Sequence, residues 1–145
     1  MTRDALLEFM RSEKYATQTS VSPSGRPQAA VVGIVVSDRF EIVFDTLVSS
    51  RKTLNLRTNP AVAFVIGGTR DGDERTVQYE GATDEPTGVE LEQLLALYFE
   101  RFPDGRKRRL WPGLTYIRAK PIWIRYSDFG AQPPEIVEFD TASLA

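Results

Sequence analysis

The chain has 145 residues, an apolar fraction of 41%, a charged fraction of 26% and a net charge of −2, which is typical of a single folded domain over residues 1–145. It contains neither Cys nor His, which excludes disulfides, thiolate zinc sites, a Ser-His-Asp triad and His-ligated metal or haem. The charge balance does not favour nucleic acid, and the longest apolar run, 29–36, is too short to cross a bilayer. Since no signal-peptide pattern begins the sequence, we expect a cytoplasmic protein without a metal site.

The first third of the sequence predicts one helix and three strands. Apolar residues recur at helical spacing over 3–14, which indicates a short amphipathic helix. A loosely alternating strand at 15–21 ends in a turn that contains Pro and Gly. The run 28–36 is almost continuously apolar and rich in Val, which is typical of a strand buried on both faces. Alternating residues at 40–45 predict a third strand, which forms a hairpin with the second.

The remainder predicts two further helices and three further strands. Ser49 or Ser50 is a good N-cap for a short helix that Asn59-Pro60 ends. The longest helix is predicted over 86–102, where one apolar stripe recurs. The later strands are predicted at 61–66, 75–83 and 115–126, with a short addition at 136–139. Pro121 interrupts the last of the three and predicts an edge or a bulge there. Because most strand connections are short, we expect a mainly β fold, a six-stranded antiparallel barrel with three inserted helices.

The start of the second helix places positive charge where a helix disfavours it. Arg51 and Lys52 follow Ser50 at the helix end that already carries partial positive charge from aligned peptide dipoles. A bound anion would reverse this effect, because free N–H groups, a hydroxyl, a guanidinium and an ammonium together suit a phosphate. The alternative is that both side chains extend into solvent, where the electrostatic cost is small.

The same segment resembles a motif of the pyridoxamine 5'-phosphate oxidase-like superfamily. In that family a strand ends in an aromatic residue and a Thr, the Arg of Ser-Arg-Lys follows five residues after the Thr, and Asn-Pro precedes the next strand. The matching residues here are Phe44, Thr46, Ser50-Arg51-Lys52 and Asn59-Pro60. Weaker similarity is found at Gly25-Arg26-Pro27-Gln28, at Tyr79-Glu80-Gly81-Ala82 and at 121–126.

The resemblance implies an FMN-binding split β-barrel that forms a homodimer, with the flavin between the two subunits. It implies that Arg51 and Lys52 hold the FMN phosphate beside Ser50. Other residues that the resemblance places at the cofactor are Thr46 and Asp45 near the ribityl chain or ring, Val31, Val32 and Gly33 with backbone groups toward the isoalloxazine, and Thr76 where the oxidases often have a Gln.

Two positions depart from the true oxidases of this superfamily. Ala30 stands where they have a basic residue that helps to hold FMN, and Val35 stands where they have a Lys for the substrate phosphate. We therefore expect a short relative, an FMN-dependent oxidoreductase that acts on a small molecule other than pyridoxamine 5'-phosphate. Its partners would be a second copy of itself and that substrate, with no nucleic acid and no membrane.

The sequence leaves two alternative functions open, and it does not decide where four aromatic residues lie. The protein could be a reductase that uses the deazaflavin F420, for which the basic cluster 106–109 is the only support, or a flavin-binding protein without turnover. The interpretation that charge runs favour is instead a solvated basic loop. Four aromatic residues either line the flavin or pack in the core or dimer interface. They are Trp111, Tyr116, Trp123 and Tyr126.

Overall fold

The computed structural model describes all 145 residues, which form five helices and eight strands. In chain order these are α1 (Arg3–Ser12), β1 (Tyr15–Val21), β2 (Pro27–Gly33), β3 (Val35–Val36), β4 (Ile42–Leu47), α2 (Arg51–Thr58), β5 (Ala61–Gly67), β6 (Arg75–Asp84), α3 (Gly88–Arg101), α4 (Gly105–Arg108), β7 (Leu114–Asp128), β8 (Glu135–Asp140) and α5 (Thr141–Leu144). No helix has the length and apolar character needed to cross a lipid bilayer.

All strands belong to one antiparallel sheet with the order β2-β1-β5-β6-β7-β4-β3. Strand β2 continues into β3 through the single residue Ile34, so the chain itself joins the two ends of this order. The long strand β7 pairs with β4 over its first half and with β8 over its second half. The sheet therefore curls into the split barrel that the sequence predicts.

A bulge lets β7 bend between its two halves. The register of β6 and β7 shifts between Glu80 and Gly81, where Pro121 lies opposite Gly81. Proline has no N–H to donate to a ladder and is tolerated at such irregularities. A side chain at Gly81 would meet the Lys120 carbonyl at 2.5 Å, so the close approach of the two strands requires glycine there. The disruption predicted at Pro121 is confirmed.

Two apolar clusters form the core. The larger fills the barrel and includes the buried face of α1. The smaller lies outside the barrel, where α3 covers β3, β4 and the start of β7. Its buried members are Val35, Val43, Leu94, Leu95, Tyr98, Phe99, Phe102 and Tyr116. Helix α3 therefore protects one outer face of the barrel, and the face formed by β2, β1 and β5 has no helix over it.

The barrel and its antiparallel pairing are as predicted, but three details are wrong. The structure has eight strands and five helices, because 28–36 divides at Ile34, 135–140 forms a full strand, the segment 103–109 contains α4, and 141–144 forms α5. Strand β2 is not buried on both faces. Val32 is 8% exposed and points into the barrel, whereas Val31 is 70% exposed. The reason is that β2 lies at the end of the strand order, with nothing packed on its outer face.

Candidate functional site

A chain of hydroxyl groups fixes the turn that leads from β4 into α2. Thr46 Oγ1 donates to Ser50 Oγ at 2.9 Å, and Ser50 Oγ accepts from the backbone N–H of Thr53 at 3.3 Å. Thr53 Oγ1 in turn donates to the Leu47 carbonyl at 2.8 Å. Ser50 is thus the N-cap, as the sequence predicts. The network orients the first turn of α2, and with it the backbone N–H groups that have no partner inside the helix.

A cleft of about 330 Å³ opens beside this first turn, over the ends of β1 and β2. Its lining residues are Gln18, Ser20, Gln28, Ala29, Ala30, Arg51 and Lys52. Arg51 is exposed and Lys52 half-buried, and neither cation forms an ion pair or a side-chain hydrogen bond within the protein. No carboxylate lines the cleft. The cleft therefore collects positive charge that no anion of the chain neutralises.

The floor of the cleft consists of buried polar side chains. Asn55, on the inner face of α2, donates from Nδ2 to Ser20 Oγ at 3.1 Å and to Gln28 Oε1 at 2.6 Å. Gln18 is 1% exposed, and its Nε2 has no hydrogen-bond partner. Sequence reasoning missed this group. The alternation along β1 places Gln18 and Ser20 on one face of the strand, and this is visible in the sequence. Only the pairing of β1 with β2 and the packing of α2 on β1 bring these two side chains to Gln28 and Asn55.

The donors at this site fit a phosphate group. Arg51 supplies a guanidinium, Lys52 an ammonium, and the first turn of α2 supplies N–H groups and the positive end of the helix dipole. Gln18 adds a buried amide donor without a partner. A group rich in acceptor oxygens and negative charge would satisfy all of these donors at once.

Asp45 lies on the opposite face of β4 from Thr46, because successive strand residues alternate. Its Oδ2 accepts from Arg108 Nε at 2.9 Å, beneath α3 and α4. Burial, with the Asp45 charge as a second cause, raises the pKa of the Tyr98 and Tyr116 phenols above the ordinary value. Asp45 is therefore part of a structural cluster, and in one subunit its carboxylate does not line the cleft beside α2.

The candidate residues of β2 extend away from the cleft along the strand. Val31 points outward, Val32 points into the barrel, and Gly33 faces the ring of Phe102. A Cβ atom on Gly33 would lie 2.7 Å from Cζ of that ring. The backbone of this segment is thus closely packed on one side and open on the other.

Thr76 lies far from the cleft within one subunit. It pairs with Gly67, at the end of β5 that is remote from α2. Thr46, which leads into the first turn of α2, pairs with Thr115 at the start of β7, whereas Thr76 pairs with Ser127 near the other end of β7. A single subunit therefore brings Ser50, Thr46, Arg51 and Lys52 together but does not bring Thr76 to them.

The basic cluster 106–109 is partly neutralised within the chain. Arg108 pairs with Asp45 and Asp104, and Arg109 pairs with Glu92. The guanidinium of Arg106 lies 5.4 Å from the centroid of the Phe99 ring. The cluster is therefore largely a set of contacts that hold α4 on α3 and β4, and its free charge is smaller than the sequence indicates.

The four aromatic candidates divide between core and surface. Tyr116 and Tyr126 are buried, in the outer and inner clusters respectively. Trp123 is half-buried and donates from Nε1 to Glu138 at 3.3 Å, and Trp111 is 54% exposed. Packing thus accounts for both tyrosines, and Trp111 is the member of the set that a ligand or partner would reach most easily.

Proteins of known structure share this fold at low sequence identity. A haem-binding protein from Mycobacterium smegmatis has a TM-score of 0.84 at 13% identity, covering 99% of this chain and 60% of its own. A pyridoxamine 5'-phosphate oxidase-related, FMN-binding protein from Nostoc punctiforme has a TM-score of 0.72 at 14% identity, covering 94% and 87%. The haem-storage protein HutZ from Vibrio cholerae has a TM-score of 0.71 at 17% identity, covering 83% and 91%. The chain thus spans about three fifths of the length of the mycobacterial protein.

No curated protein matches the sequence at a significant level. The sequence profile of the family described as pyridoxamine 5'-phosphate oxidase does match, over residues 2–128. That range contains the barrel up to the end of β7, together with the cleft beside α2. This chain therefore belongs to the pyridoxamine 5'-phosphate oxidase family.

Proposed function

We propose that this protein binds one FMN per subunit, with the FMN phosphate in the cleft beside α2. The observation that carries the proposal is the pair of cations, Arg51 and Lys52, at a helix start where no protein anion meets them. Backbone N–H groups, a dipole and two cations form a strong phosphate site. Family membership, and the FMN-binding description of the Nostoc neighbour, support the same cofactor.

We further propose that the protein forms a homodimer with the flavin between its subunits. Val31, Thr17 and Val65 lie side by side on the uncovered outer face of β2, β1 and β5. Val31 is 70% exposed and Val65 is 45% exposed, and they flank Thr17 on the two strands that pair with β1, so together they form an apolar patch in solvent. A second copy on this face would bury them, in an interface of roughly 2,000 Å² or more if the dimer is obligate.

A shared site also explains the positions of the remaining candidates. Thr76 and Arg51 lie at opposite ends of the sheet in one subunit. One cofactor could contact both positions if each came from a different copy. FMN binding and dimer formation would then be coupled. A ligand that binds only the dimer stabilises the dimer by mass action, so FMN should oppose dissociation.

The proposed activity is a flavin-dependent oxidation or reduction of a small molecule. Bound FMN would supply the redox chemistry, and the chain would bind the phosphate, orient the ring and shape the substrate pocket. The sequence has no His and no Cys, so any group that titrates near neutral pH would be a perturbed carboxyl group or Lys, or would belong to the cofactor. A flavin-binding role without turnover is the competing interpretation.

The residues favour flavin over haem and over F420. Haem iron is held by His, Cys, Met or Tyr, and this chain has no His or Cys, while Met10 is fully buried in the core. The haem-related descriptions of the Mycobacterium and Vibrio neighbours therefore have no His or Cys counterpart here. For F420, two of the four residues of the basic cluster 106–109, Arg108 and Arg109, are engaged in ion pairs within the chain.

Titration of the purified protein with FMN, F420 and haemin tests these proposals. We expect FMN fluorescence to be quenched with a micromolar or lower Kd and a stoichiometry of one per subunit. No binding at about 1 mM FMN would overturn the cofactor assignment, because a Kd of that size corresponds to a binding free energy of only about 4 kcal/mol.

A second experiment tests turnover. The bound flavin is photoreduced without oxygen and then mixed with electron acceptors. A reduced flavin that no acceptor reoxidises supports the role without catalysis.

A further inference from the structure

Gln18 is the one side chain of the cleft floor with a buried polar atom that has no hydrogen-bond partner. It is 1% exposed, and its Nε2 is buried without a partner. Its neighbours Ser20 and Gln28 both accept hydrogen bonds from Asn55. Buried polar groups in folded proteins are nearly always paired, because an unpaired one loses its hydration without compensation. Gln18 thus needs an explanation that the folded chain alone does not supply.

The strands beside Gln18 offer it no partner. Its cross-strand neighbours are Ala30 on β2 and Phe64 on β5, and neither side chain accepts a hydrogen bond. The short Ala30 side chain leaves the space above it to the cleft that Arg51 and Lys52 also line. Gln18 therefore has no side-chain acceptor on the neighbouring strands, and the cleft is the open space beside it.

The chemistry of a partner in that space follows from the other groups around the cleft. Arg51 and Lys52 are obligate donors, and so are the free backbone N–H groups at the start of α2. The Gln18 amide can turn by 180° about its last torsion and present Nε2 to the same space. A ligand that satisfies all of these carries negative charge and several acceptor oxygens on one atom, which describes a phosphate monoester.

We propose that Gln18 is a phosphate-binding residue, whose amide N–H donates to an oxygen of the phosphate monoester held by Arg51 and Lys52. This inference rests on the proposed function, since FMN is the monoester concerned. It adds a neutral, buried donor on β1 to the charged donors on α2. The role of Gln18 is to select the phosphorylated form of the flavin, because riboflavin has no group that reaches this amide.

Two variants of Gln18 and one control test the proposal. Q18M keeps the length and volume of the side chain but removes the amide, and Q18E keeps its shape but adds negative charge. Q93L makes a polar-to-apolar change at an exposed position of α3, away from the cleft. For each variant, the Kd values for FMN and riboflavin are measured by fluorescence, and the Kd for inorganic phosphate by ³¹P line broadening. The melting temperature of the ligand-free protein is recorded alongside.

We expect Q18M to raise the Kd for FMN and for phosphate about tenfold, and Q18E to raise both about a hundredfold. The Kd for riboflavin should be unchanged in both, and Q93L should behave as the parent. The ligand-free melting temperature of Q18M should equal or exceed that of the parent, because the unpaired buried amide is gone. A purely structural Gln18 would instead lower the melting temperature and weaken FMN and riboflavin alike, which would overturn the proposal.

The outcomes separate this inference from the proposed function. If Arg51→Ala weakens FMN but Q18M and Q18E bind FMN and phosphate like the parent, the role of Gln18 is wrong and the FMN proposal stands. If the parent binds phosphate in a Gln18-dependent way but does not bind FMN, Gln18 is a phosphate-binding residue and the FMN proposal is wrong. If the parent binds neither FMN nor phosphate, both are overturned.

Discussion

Arg108 donates from Nε to the Asp45 carboxylate at 2.9 Å and so ties α4 to β4 across 63 residues of sequence. Both side chains are largely shielded from solvent, at 21% and 17% exposure. The same guanidinium lies within 3.4 Å of the Tyr98 hydroxyl. The pair therefore neutralises charge beneath α3, where sequence reasoning expected one partner at the cofactor and the other in a solvated loop.

Arg108→Ala is expected to lower the free energy of unfolding by about 1–3 kcal/mol, because Asp45 keeps its partial burial and loses its strongest partner. Urea denaturation measures the change. Lys107→Ala, at the neighbouring exposed position without an ion pair, should change stability by less than about 0.5 kcal/mol. If Arg108→Ala mainly weakens FMN binding instead, Asp45 acts at the cofactor, as the family resemblance implies.

Arg51→Ala and Lys52→Ala are each expected to raise the Kd for FMN about ten- to a hundredfold, since each removes charge-assisted bonds of roughly 1.5–3 kcal/mol. Stability without ligand should hold or rise slightly, because a cation leaves a helix start. Fluorescence titration and thermal melts measure the two effects. Arg39→Ala, an exposed cation outside the cleft, is the control. Unchanged FMN affinity in both variants would show that the phosphate lies elsewhere.

Val31→Glu is expected to dissociate the proposed dimer, because it places a charge on the uncovered face of β1, β2 and β5, at its most exposed valine. Analytical ultracentrifugation at low micromolar concentration, with and without FMN, measures the change. Val89→Glu, at a position that is 75% exposed on α3, should leave the assembly intact. FMN should oppose dissociation of the parent and raise its melting temperature. A parent protein that is monomeric and still binds FMN tightly would contradict the shared site.

Gly33→Ala is expected to destabilise the fold by about 1–3 kcal/mol, because the added methyl group would lie 2.7 Å from the Phe102 ring. Phe102→Leu in the same chain should recover part of this loss by making room for the methyl group. Denaturant unfolding of the two single variants and the double variant measures the coupling. Simple additivity of the two single effects would show that the contact with Phe102 is not the cause.

Stability should change little between about pH 6 and 8, since the chain has no His, and should fall under acid conditions. Hydrogen bonds from Arg57 and then Thr115 lower the pKa of Glu85 below 4.5, and hydrogen bonds from Arg75 lower the pKa of Asp73 from 3.8 to about 2. A carboxyl group with a depressed pKa in the folded state stabilises the fold above its unfolded pKa. That contribution is lost as the pH falls from about 4.5 towards 2.

Thermal melts across this pH range measure the effect. Glu85→Gln should lower the melting temperature at neutral pH and reduce its dependence on pH below 4.5. Glu74→Gln, at an exposed carboxyl group without an ion pair, is the matched control and should melt like the parent at every pH. A Glu85→Gln variant that keeps the full acid sensitivity of the parent would remove Glu85 from the explanation.

Local signals in the sequence determined the two ends of α2 and the irregularity at Pro121. Ser50 caps the helix, Asn59 and Pro60 end it, and Arg51 and Lys52 follow the cap, because each effect acts within one helical turn. Pro121 marked the irregularity between β6 and β7 for the same reason, since the missing N–H is a property of the residue itself.

Only the tertiary structure decided what surrounds that helix start. The pairing of β1 with β2 places Gln18 opposite Ala30, and the packing of α2 on β1 brings Asn55 to Ser20. The curl of the sheet leaves Val31 in solvent, although its neighbours in the sequence are apolar. Strand register and sheet closure depend on contacts between residues far apart in the chain, so a periodicity read along a few residues does not contain them.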